Sequence, residues 1–350
     1  MALRRIKLTI AYDGTAYVGF QKQPNGTSIE EVVTQALQKL LKEDVLLIGA
    51  SRTDSGVHAD ANIAVFDTES RIPADKFTFA LNEFLPDDIK VQASSEVPLS
   101  WHPRKINSVK TYEYRILNRK IPIPKERNFS YFYYYPLDLE RMKEASACLL
   151  GEHDFRSFCS IRTSVEDTVR RILSFDISKK DDVITFRISG NGFLYNMVRI
   201  IIGTLVKIGT GFWEPEMMKE ILEKRDRKFA GPRAPAEGLT LISIEEETSL
   251  PEIVDEENEH WSYILYQGRT MSEKKAYGII RACEERDHAA LLLRLTKTLS
   301  RNGAVYVYMQ DRTGILKDKT KADYFTYRKT DMPGWFVTAD ERKLTAEDEE

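Results

Sequence analysis

The first 250 residues carry short runs in which hydrophobic and polar positions repeat with the periods of strands and helices. From Arg4 to Tyr12, apolar side chains occupy every second position, which predicts a half-buried strand. Apolar runs from Val45 to Ala50 and from Ala61 to Phe66 predict two more strands. Between Tyr12 and Val45, Ser28 and Glu31 form a capping box ahead of a helix with one apolar face.

A second helix is predicted from Ala74 to Phe84, with a strand after it. The resulting order of strand, helix, two strands, helix and strand is typical of a ferredoxin-like α+β unit.

The following stretch repeats this mixture of elements. The segments Lys110 to Ile116, Val169 to Ile177 and Val183 to Ile188 alternate like strands, and Leu137 to Leu150 has helical spacing. The aromatic run from Phe129 to Tyr135 is typical of a strand buried on both faces. The expected fold is therefore α+β, with two ferredoxin-like halves that share one mostly antiparallel sheet and carry their helices on the outside.

The carboxy-terminal stretch has a different pattern. Residues 249–260 are acidic and lack periodicity, which predicts a linker. Met271 to Ser300 reads as two helices broken near Asp287, and Ala304 to Tyr308 reads as a strand after an Asn-Gly turn, with another strand near Tyr327. A small α/β lobe is expected here.

The chain is thus predicted to comprise two halves, residues 1–105 and 106–248, followed by an extension, residues 249–350. An extension of this size is expected to be a lobe that stabilises the main body, and a second contact with RNA or a partner is the alternative.

Composition narrows the class of protein. The net charge is −3, yet residues 1–248 balance 35 Lys and Arg against 35 Asp and Glu. Residues 101–127 hold eight basic residues and two acids, which indicates either a phosphate-binding face or a solvated strand edge.

The chain has no apolar run of about 18 residues, so no membrane span is expected. Three widely spaced cysteines indicate a reducing compartment, the cytoplasm, and no metal cluster.

The segment from Ser51 to Ala59 is polar although it lies between two predicted core strands. Such a segment should be a loop at the end of a sheet, where working residues are often presented. Arg52 and Asp54 are close enough in sequence to couple electrostatically, and Gly56 permits a tight turn. Residue types alone are also compatible with a solvated connecting loop.

A long apolar helix is predicted to open at Gly192. Arg199 is the only charged residue between Arg187 and Lys207. A buried arginine needs an acidic partner, because an unpaired buried charge is very unfavourable.

The motif Arg-Thr-Asp-Ser-Gly-Val-His-Ala, which begins at Arg52, resembles the catalytic signature of the tRNA pseudouridine synthase A family. Further strings agree with it: Gly-Phe-Gln-Lys-Gln ending at Gln23, Trp-His-Pro-Arg ending at Arg104, Lys-Thr-Tyr-Glu-Tyr beginning at Lys110, and Met-Val-Arg ending at Arg199. The resemblance covers residues 4 to 247.

The resemblance implies an isomerase that converts uridine to pseudouridine in the anticodon stem-loop of tRNA, without cofactor or metal, and that works as a homodimer. It implies that Asp54 is the nucleophile, that Arg199 is its ion-pair partner, and that Tyr112 stacks on the base and could serve as general base. Arg52 would take part in base flipping or contact phosphate. The remaining residues implied to bind the substrate are Gln21, Lys22, Gln23, His58, Lys110 and Leu239.

Two interpretations from other classes stay open at this point: a non-catalytic RNA-binding protein or chaperone on the same scaffold, and a scaffold that recruits a partner through residues 249–350.

Overall fold

A computed structural model describes residues 3–160 and 167–246, and beyond them six strands between residues 261 and 344. The chain divides into two compact units, Met1–Ile244 and Glu245–Glu350.

The first unit is built on one large sheet, which has ten strands in the described residues. In chain order these are β1 (Arg4–Tyr12), β2 (Ile48–Gly49), β3 (His58–Thr68), β4 (Ile89–Val97), β5 (Ser108–Asn118), β6 (Tyr131–Tyr133), β7 (Gly151–Asp154), β8 (Val169–Lys180), β9 (Val183–Gly190) and β10 (Leu239–Glu246). Their order across the sheet is β4-β1-β3-β10-β5-β9-β8-β7, with β2 on β3 and β6 on β5.

Most strand pairs run antiparallel, as expected for the α+β class, but β3–β10 and β5–β6 are parallel. Strand β10 lies between β3 and β5 and so joins the strands of the two predicted halves into one sheet.

Five α-helices accompany this sheet in the described part of the unit: α1 (Ile29–Leu41), α2 (Phe77–Asn82), α3 (Leu139–Ala147), α4 (Met197–Gly209) and α5 (Met217–Lys224). The capping box is confirmed, since Ser28 Oγ accepts from the Glu31 N–H at 3.2 Å. The apolar face of α1, including Val33 and Leu37, joins the same buried cluster as Leu8 of β1. None of the described helices is long and apolar enough to cross a membrane.

Several predicted boundaries differ from the structure. The run from Val45 to Ala50 forms only the two-residue strand β2, and residues 74–76 form a 3-10 turn ahead of α2. Helix α4 starts at Met197 and not at Gly192, because Asn196 takes a left-handed conformation with φ 62°. The prediction for Phe129 to Tyr135 was wrong about burial: β6 is half-buried, and Tyr135 is 63% exposed.

The second unit contains a six-stranded sheet in its described residues, with strands β11 (Trp261–Gly268), β12 (Tyr277–Ala282), β13 (Ala304–Asp311), β14 (Phe325–Tyr327), β15 (Phe336–Thr338) and β16 (Lys343–Leu344). Strand β13 confirms the strand predicted from Ala304, and β14 the one predicted near Tyr327. The helix predicted from Met271 was wrong over β12, whose residues pair with β11. The rest of that helix and the linker at 249–260 lie outside the described residues.

Candidate active site

The polar loop between β2 and β3 is fixed by backbone contacts to the segment after β1. The Phe20 N–H donates to Thr53 O at 3.1 Å, and the Gly56 N–H donates to Tyr17 O at 3.3 Å. Gly56 has a φ of 78°, the left-handed turn expected for it. Gly19 has a φ of 113°, and a Cβ there would meet Thr53 O at 2.7 Å. Glycine at position 19 therefore allows the two segments to lie in contact.

Asp54, in this loop, is paired with Arg199 of α4. Asp54 Oδ2 lies 3.1 Å from Arg199 Nη1, and the two side chains are only 17% and 8% exposed. The predicted need of a buried Arg199 for a carboxylate is confirmed by this contact. Arg52 was expected to couple with Asp54, but it is exposed, and the cations that act on Asp54 are Arg199 and Arg233.

Two further acceptors fix the Arg199 guanidinium. Its Nε donates to Ala234 O at 2.8 Å and its Nη1 donates to Asn196 Oδ1 at 3.1 Å. The chain carrying Ala234 crosses α4 closely, since a Cβ on Gly203 would meet Pro232 O at 1.7 Å. Because three acceptors hold it, Arg199 presents one fixed edge to Asp54.

Burial is the largest influence on the Asp54 carboxyl, and it raises the pKa of Asp54 above the ordinary value. The positive charge and hydrogen bond of Arg199 act in the opposite direction and stabilise the anion. Asp54 is therefore a carboxylate with little hydration and one strong cationic partner. A carboxylate of raised pKa is also more basic than a hydrated one.

A buried hydrogen-bond network fixes the start of the loop. Asn62, fully buried in β3, donates from Nδ2 to Ser51 O at 2.9 Å and to Tyr12 Oη at 3.1 Å, and its Oδ1 accepts from the Ser51 N–H at 3.2 Å. Tyr12 Oη in turn lies 2.7 Å from Thr53 Oγ1. Every group in this network is satisfied, so it holds the residues before Asp54 rigidly.

Tyr112 lies on β5, with 9% of its surface exposed. Its ring meets that of Phe193 edge to face, with ring centres 5.2 Å apart. Burial raises the pKa of Tyr112 to about 12, while a hydrogen bond with the Ser51 side chain lowers it. The hydroxyl is therefore protonated at neutral pH.

Asp54, Arg199 and Tyr112 line a cleft of about 920 Å³ within the first unit. Of the residues that the sequence singled out, the structure brings together there Gln21, Gln23, Arg52, Asp54, Arg104, Lys110, Tyr112, Arg199 and Leu239. Lys22 and His58, which the resemblance also implies to bind the substrate, are described residues that do not line it.

His58 is 3% exposed and sits at the start of β3. Its Nδ1 accepts from the Gly14 N–H at 3.1 Å and lies 3.1 Å from Asp13 Oδ1, and its ring is 4.8 Å from the ring of Phe129. These contacts suit a residue that fixes the end of the loop. Lys22 is exposed, outside the cleft lining.

Sequence reasoning missed Asn62, Asn196 and Phe193. Asn62 left a signal, because an amide inside an apolar strand must find hydrogen-bond partners. The left-handed conformation of Asn196 and the ring contact of Phe193 depend on the tertiary structure and left none. No cluster of three or more His, Cys, Asp or Glu residues suited to a metal ion occurs among the described residues.

Known proteins resemble this chain over the unit that holds the cleft. The sequence profile of a family described as tRNA pseudouridine synthase matches residues 8–104 and 145–245, which include Asp54 and Arg199. The tRNA pseudouridine synthase A 2 of Clostridium perfringens is 48% identical over 242 residues, 69% of this chain and 99% of the relative. The tRNA pseudouridine synthase A of Thermoanaerobacter sp. strain X514 is 45% identical with the same coverage.

Among solved structures, a crystal structure of a Cbf5-Nop10-Gar1 complex matches 57% of this chain and 45% of its own, with 14% identity and a TM-score of 0.28. At that score the likeness bears on neither the fold nor the function of this chain.

Proposed function

Because this chain belongs to the tRNA pseudouridine synthase family, we propose that it isomerises uridine to pseudouridine in the anticodon stem-loop of tRNA. The observation that carries this proposal is the ion pair of Asp54 with Arg199 at a cleft that Tyr112 also lines. The pair supplies a desolvated carboxylate in a fixed position, which is what nucleophilic attack on a nucleoside requires.

The reaction begins with extrusion of the target uridine, since a base stacked in a stem is out of reach of a carboxylate. Arg52 is exposed in the cleft and suits the space that the base leaves, or the adjacent phosphate. Asp54 then attacks the ribose or the uracil. The bond from N1 of uracil to the ribose breaks, the uracil turns, C5 bonds to the ribose, and the bond that Asp54 had formed breaks and returns the free carboxylate. C5 finally loses its proton and N1 gains one, so the product is an isomer of the substrate.

The other cleft residues bind the nucleotide. Tyr112 stacks on the base, and Leu239 supplies an apolar wall beside it. Gln21 and Gln23 offer amides to the RNA backbone or base edges. The protonated hydroxyl of Tyr112 would have to ionise before it could take the C5 proton, so its primary role is stacking. His58 and Lys22 act at most indirectly, because neither lines the cleft.

The proposal includes a finer description of the fold and assembly. The two ferredoxin-like, RNA-recognition-like halves, residues 1–105 and 106–248, flank the cleft. The enzyme works in the cytoplasm as a homodimer that binds tRNA, and it uses neither cofactor nor metal. The resemblance of the motifs supports these statements, and light scattering on the purified protein tests the dimer.

Mapping pseudouridines in tRNA from cells with and without this protein tests the function. The proposal predicts that pseudouridine disappears from the anticodon stem-loop when the gene is deleted and returns with the wild-type chain. An unchanged pseudouridine map would instead favour a non-catalytic RNA-binding protein.

A further inference from the structure

Two basic side chains meet the end of β2, immediately before the loop that carries Asp54. Arg104 Nε donates to Gly49 O at 2.8 Å, and Lys110 Nζ donates to Ala50 O at 3.4 Å. Lys110 stands two positions before Tyr112 on β5, so both side chains project from the same face of the strand. Both line the cleft.

Lys110 is surrounded by positive charge. Its ammonium feels the charges of Arg104, Arg52 and Arg170, which come from three different segments of the chain. Within the described residues, none of these four cations lies within ion-pair distance of a carboxylate. Lys110 and Arg170 are half-buried, whereas Arg52 and Arg104 are exposed. Mutual repulsion of four cations is unfavourable, most of all at the half-buried Lys110, and a bound anion would relieve it.

Two acids, Asp54 and Asp167, are among the described residues that line the cleft. Asp54 is paired with Arg199, and Asp167 Oδ1 accepts from the Val169 N–H at 2.8 Å. Among the described residues of the cleft lining, the charged and titratable groups besides Lys110 are Arg52, Asp54, Arg104, Tyr112, Asp167, Arg170, Tyr195 and Arg199.

We infer that Arg104 and Lys110 form a binding site for one RNA phosphodiester beside the flipped nucleotide, with Arg52 and Arg170 completing the positive field. This inference rests on the proposed function and adds a defined anion site to it. The anchoring carbonyls, Gly49 O and Ala50 O, lie just before the nucleophile loop. A phosphate held at this site would therefore fix the RNA backbone relative to Asp54 and Tyr112.

The site should also take up a proton when RNA binds. Burial, and then the neighbouring cations, lower the pKa of Lys110 to about 8 in the free protein. A bound phosphate would raise that pKa towards its ordinary value, so binding draws a proton onto the ammonium. The contribution of Lys110 is complete below pH 8 and declines as pH rises through 8 towards the pKa of the complex.

Fluorescence anisotropy with a labelled tRNA transcript tests this inference at several salt concentrations and between pH 7 and pH 9. Lys110→Met should weaken binding about tenfold, as for the loss of a hydrogen bond to a charged group. It should also reduce the slope of log affinity against log salt by roughly 0.7 to 0.9. Lys120→Met is the matched control, because Lys120 belongs to the same basic stretch but is exposed and outside the cleft lining.

Lys110→Arg supplies the second control, since arginine keeps its charge throughout this pH range. With a free-state pKa of about 8 and a roughly tenfold contribution of Lys110 to binding, wild-type affinity should fall about fivefold more than that of Lys110→Arg between pH 7 and pH 9. Ionisation of the RNA itself affects both proteins equally and cancels in this comparison.

If Lys110→Met binds like Lys120→Met, and wild type and Lys110→Arg share one pH profile, the phosphate site is contradicted. Pseudouridine formation by the wild type in the same preparations would leave the proposed function standing. Conversely, RNA binding that depends on Lys110 and pH as described, without pseudouridine formation, would support the site and contradict the function.

Discussion

Asp54 and Arg199 are 145 positions apart in sequence, yet Arg199 Nη1 donates to Asp54 Oδ2 at 3.1 Å. The contact joins a loop of the large sheet to a helix in which every residue except Lys207 is buried. Because Arg199 also donates to Ala234 O and Asn196 Oδ1, its position does not depend on Asp54 alone.

Replacing Arg199 should change the pH dependence of catalysis. The active form of Asp54 is the anion, so activity is present above its pKa and lost as pH falls through it. Arg199→Met removes the main charge that lowers this pKa. The acidic limb of kcat/KM should therefore move to higher pH, and the maximal rate should fall on the order of 100-fold. Arg199→Lys keeps the charge and should shift the limb less. If both variants kept the acidic limb at the wild-type pH, Arg199 would have no influence on the ionisation of Asp54.

Tyr112→Phe separates stacking from proton transfer. The phenyl ring keeps its contact with Phe193 and its ability to stack, so tRNA affinity should stay within about twofold of wild type. Tyr112→Leu should weaken binding by about 1–3 kcal/mol, the usual range for loss of base stacking. Turnover is measured alongside: a large fall in Tyr112→Phe at unchanged affinity would assign the proton step to the hydroxyl. Equal affinities for the Phe and Leu variants would exclude stacking.

The buried amide of Asn62 should support both stability and catalysis. Asn62→Ala leaves the Ser51 N–H and C=O without partners inside the protein, which should lower the free energy of unfolding by about 2–4 kcal/mol. Turnover should also fall, because the loop before Asp54 loses its anchor. Asn82 offers a matched control, since its amide likewise bridges the backbone N–H and C=O of one residue, Val91, away from the cleft. Asn82→Ala should lose stability and keep its kcat. Equal kcat values in the two variants would show that the Asn62 network has no catalytic role.

A chain that ends after residue 248 should fold and modify tRNA. The relatives from Clostridium and Thermoanaerobacter align over 99% of their length with 242 residues of this chain. Every described residue that lines the cleft stands at or before Leu239 in the sequence. Circular dichroism and a turnover assay on the shortened and full chains check this. An insoluble product would mean that the extension covers an apolar face, and a soluble but inactive one would assign it to RNA binding.

The sequence predicted elements well where local signals were strong. Alternation gave β1 and β5, and the capping box at Ser28 gave the start of α1. The burial of Arg199 and its need for an anion also followed from its apolar neighbours. The identity of the anion, Asp54, came from the resemblance, because no local pattern connects residues 145 positions apart.

Other features could not be read from local patterns. The segment from Tyr277 to Ala282 looked helical, but its pairing with β11 decides its conformation. The position of β6, which pairs in parallel with β5, likewise depends on the tertiary structure. Burial of His58 against Phe129 removes it from the cleft, although the motif that contains it suggested contact with RNA.

Tritium release from tRNA labelled at C5 of uridine, compared between wild type and Asp54→Asn, tests the central claim most directly. Asparagine is similar in size and can still accept from Arg199, but it is uncharged and a poor nucleophile. Melting curves and tRNA affinities of both proteins serve as controls, and affinity should be unchanged or slightly higher because a negative charge near the RNA is lost. The account predicts tritium release by the wild type and none by a folded, tRNA-binding Asp54→Asn. Release by that variant at a rate near wild type would contradict it.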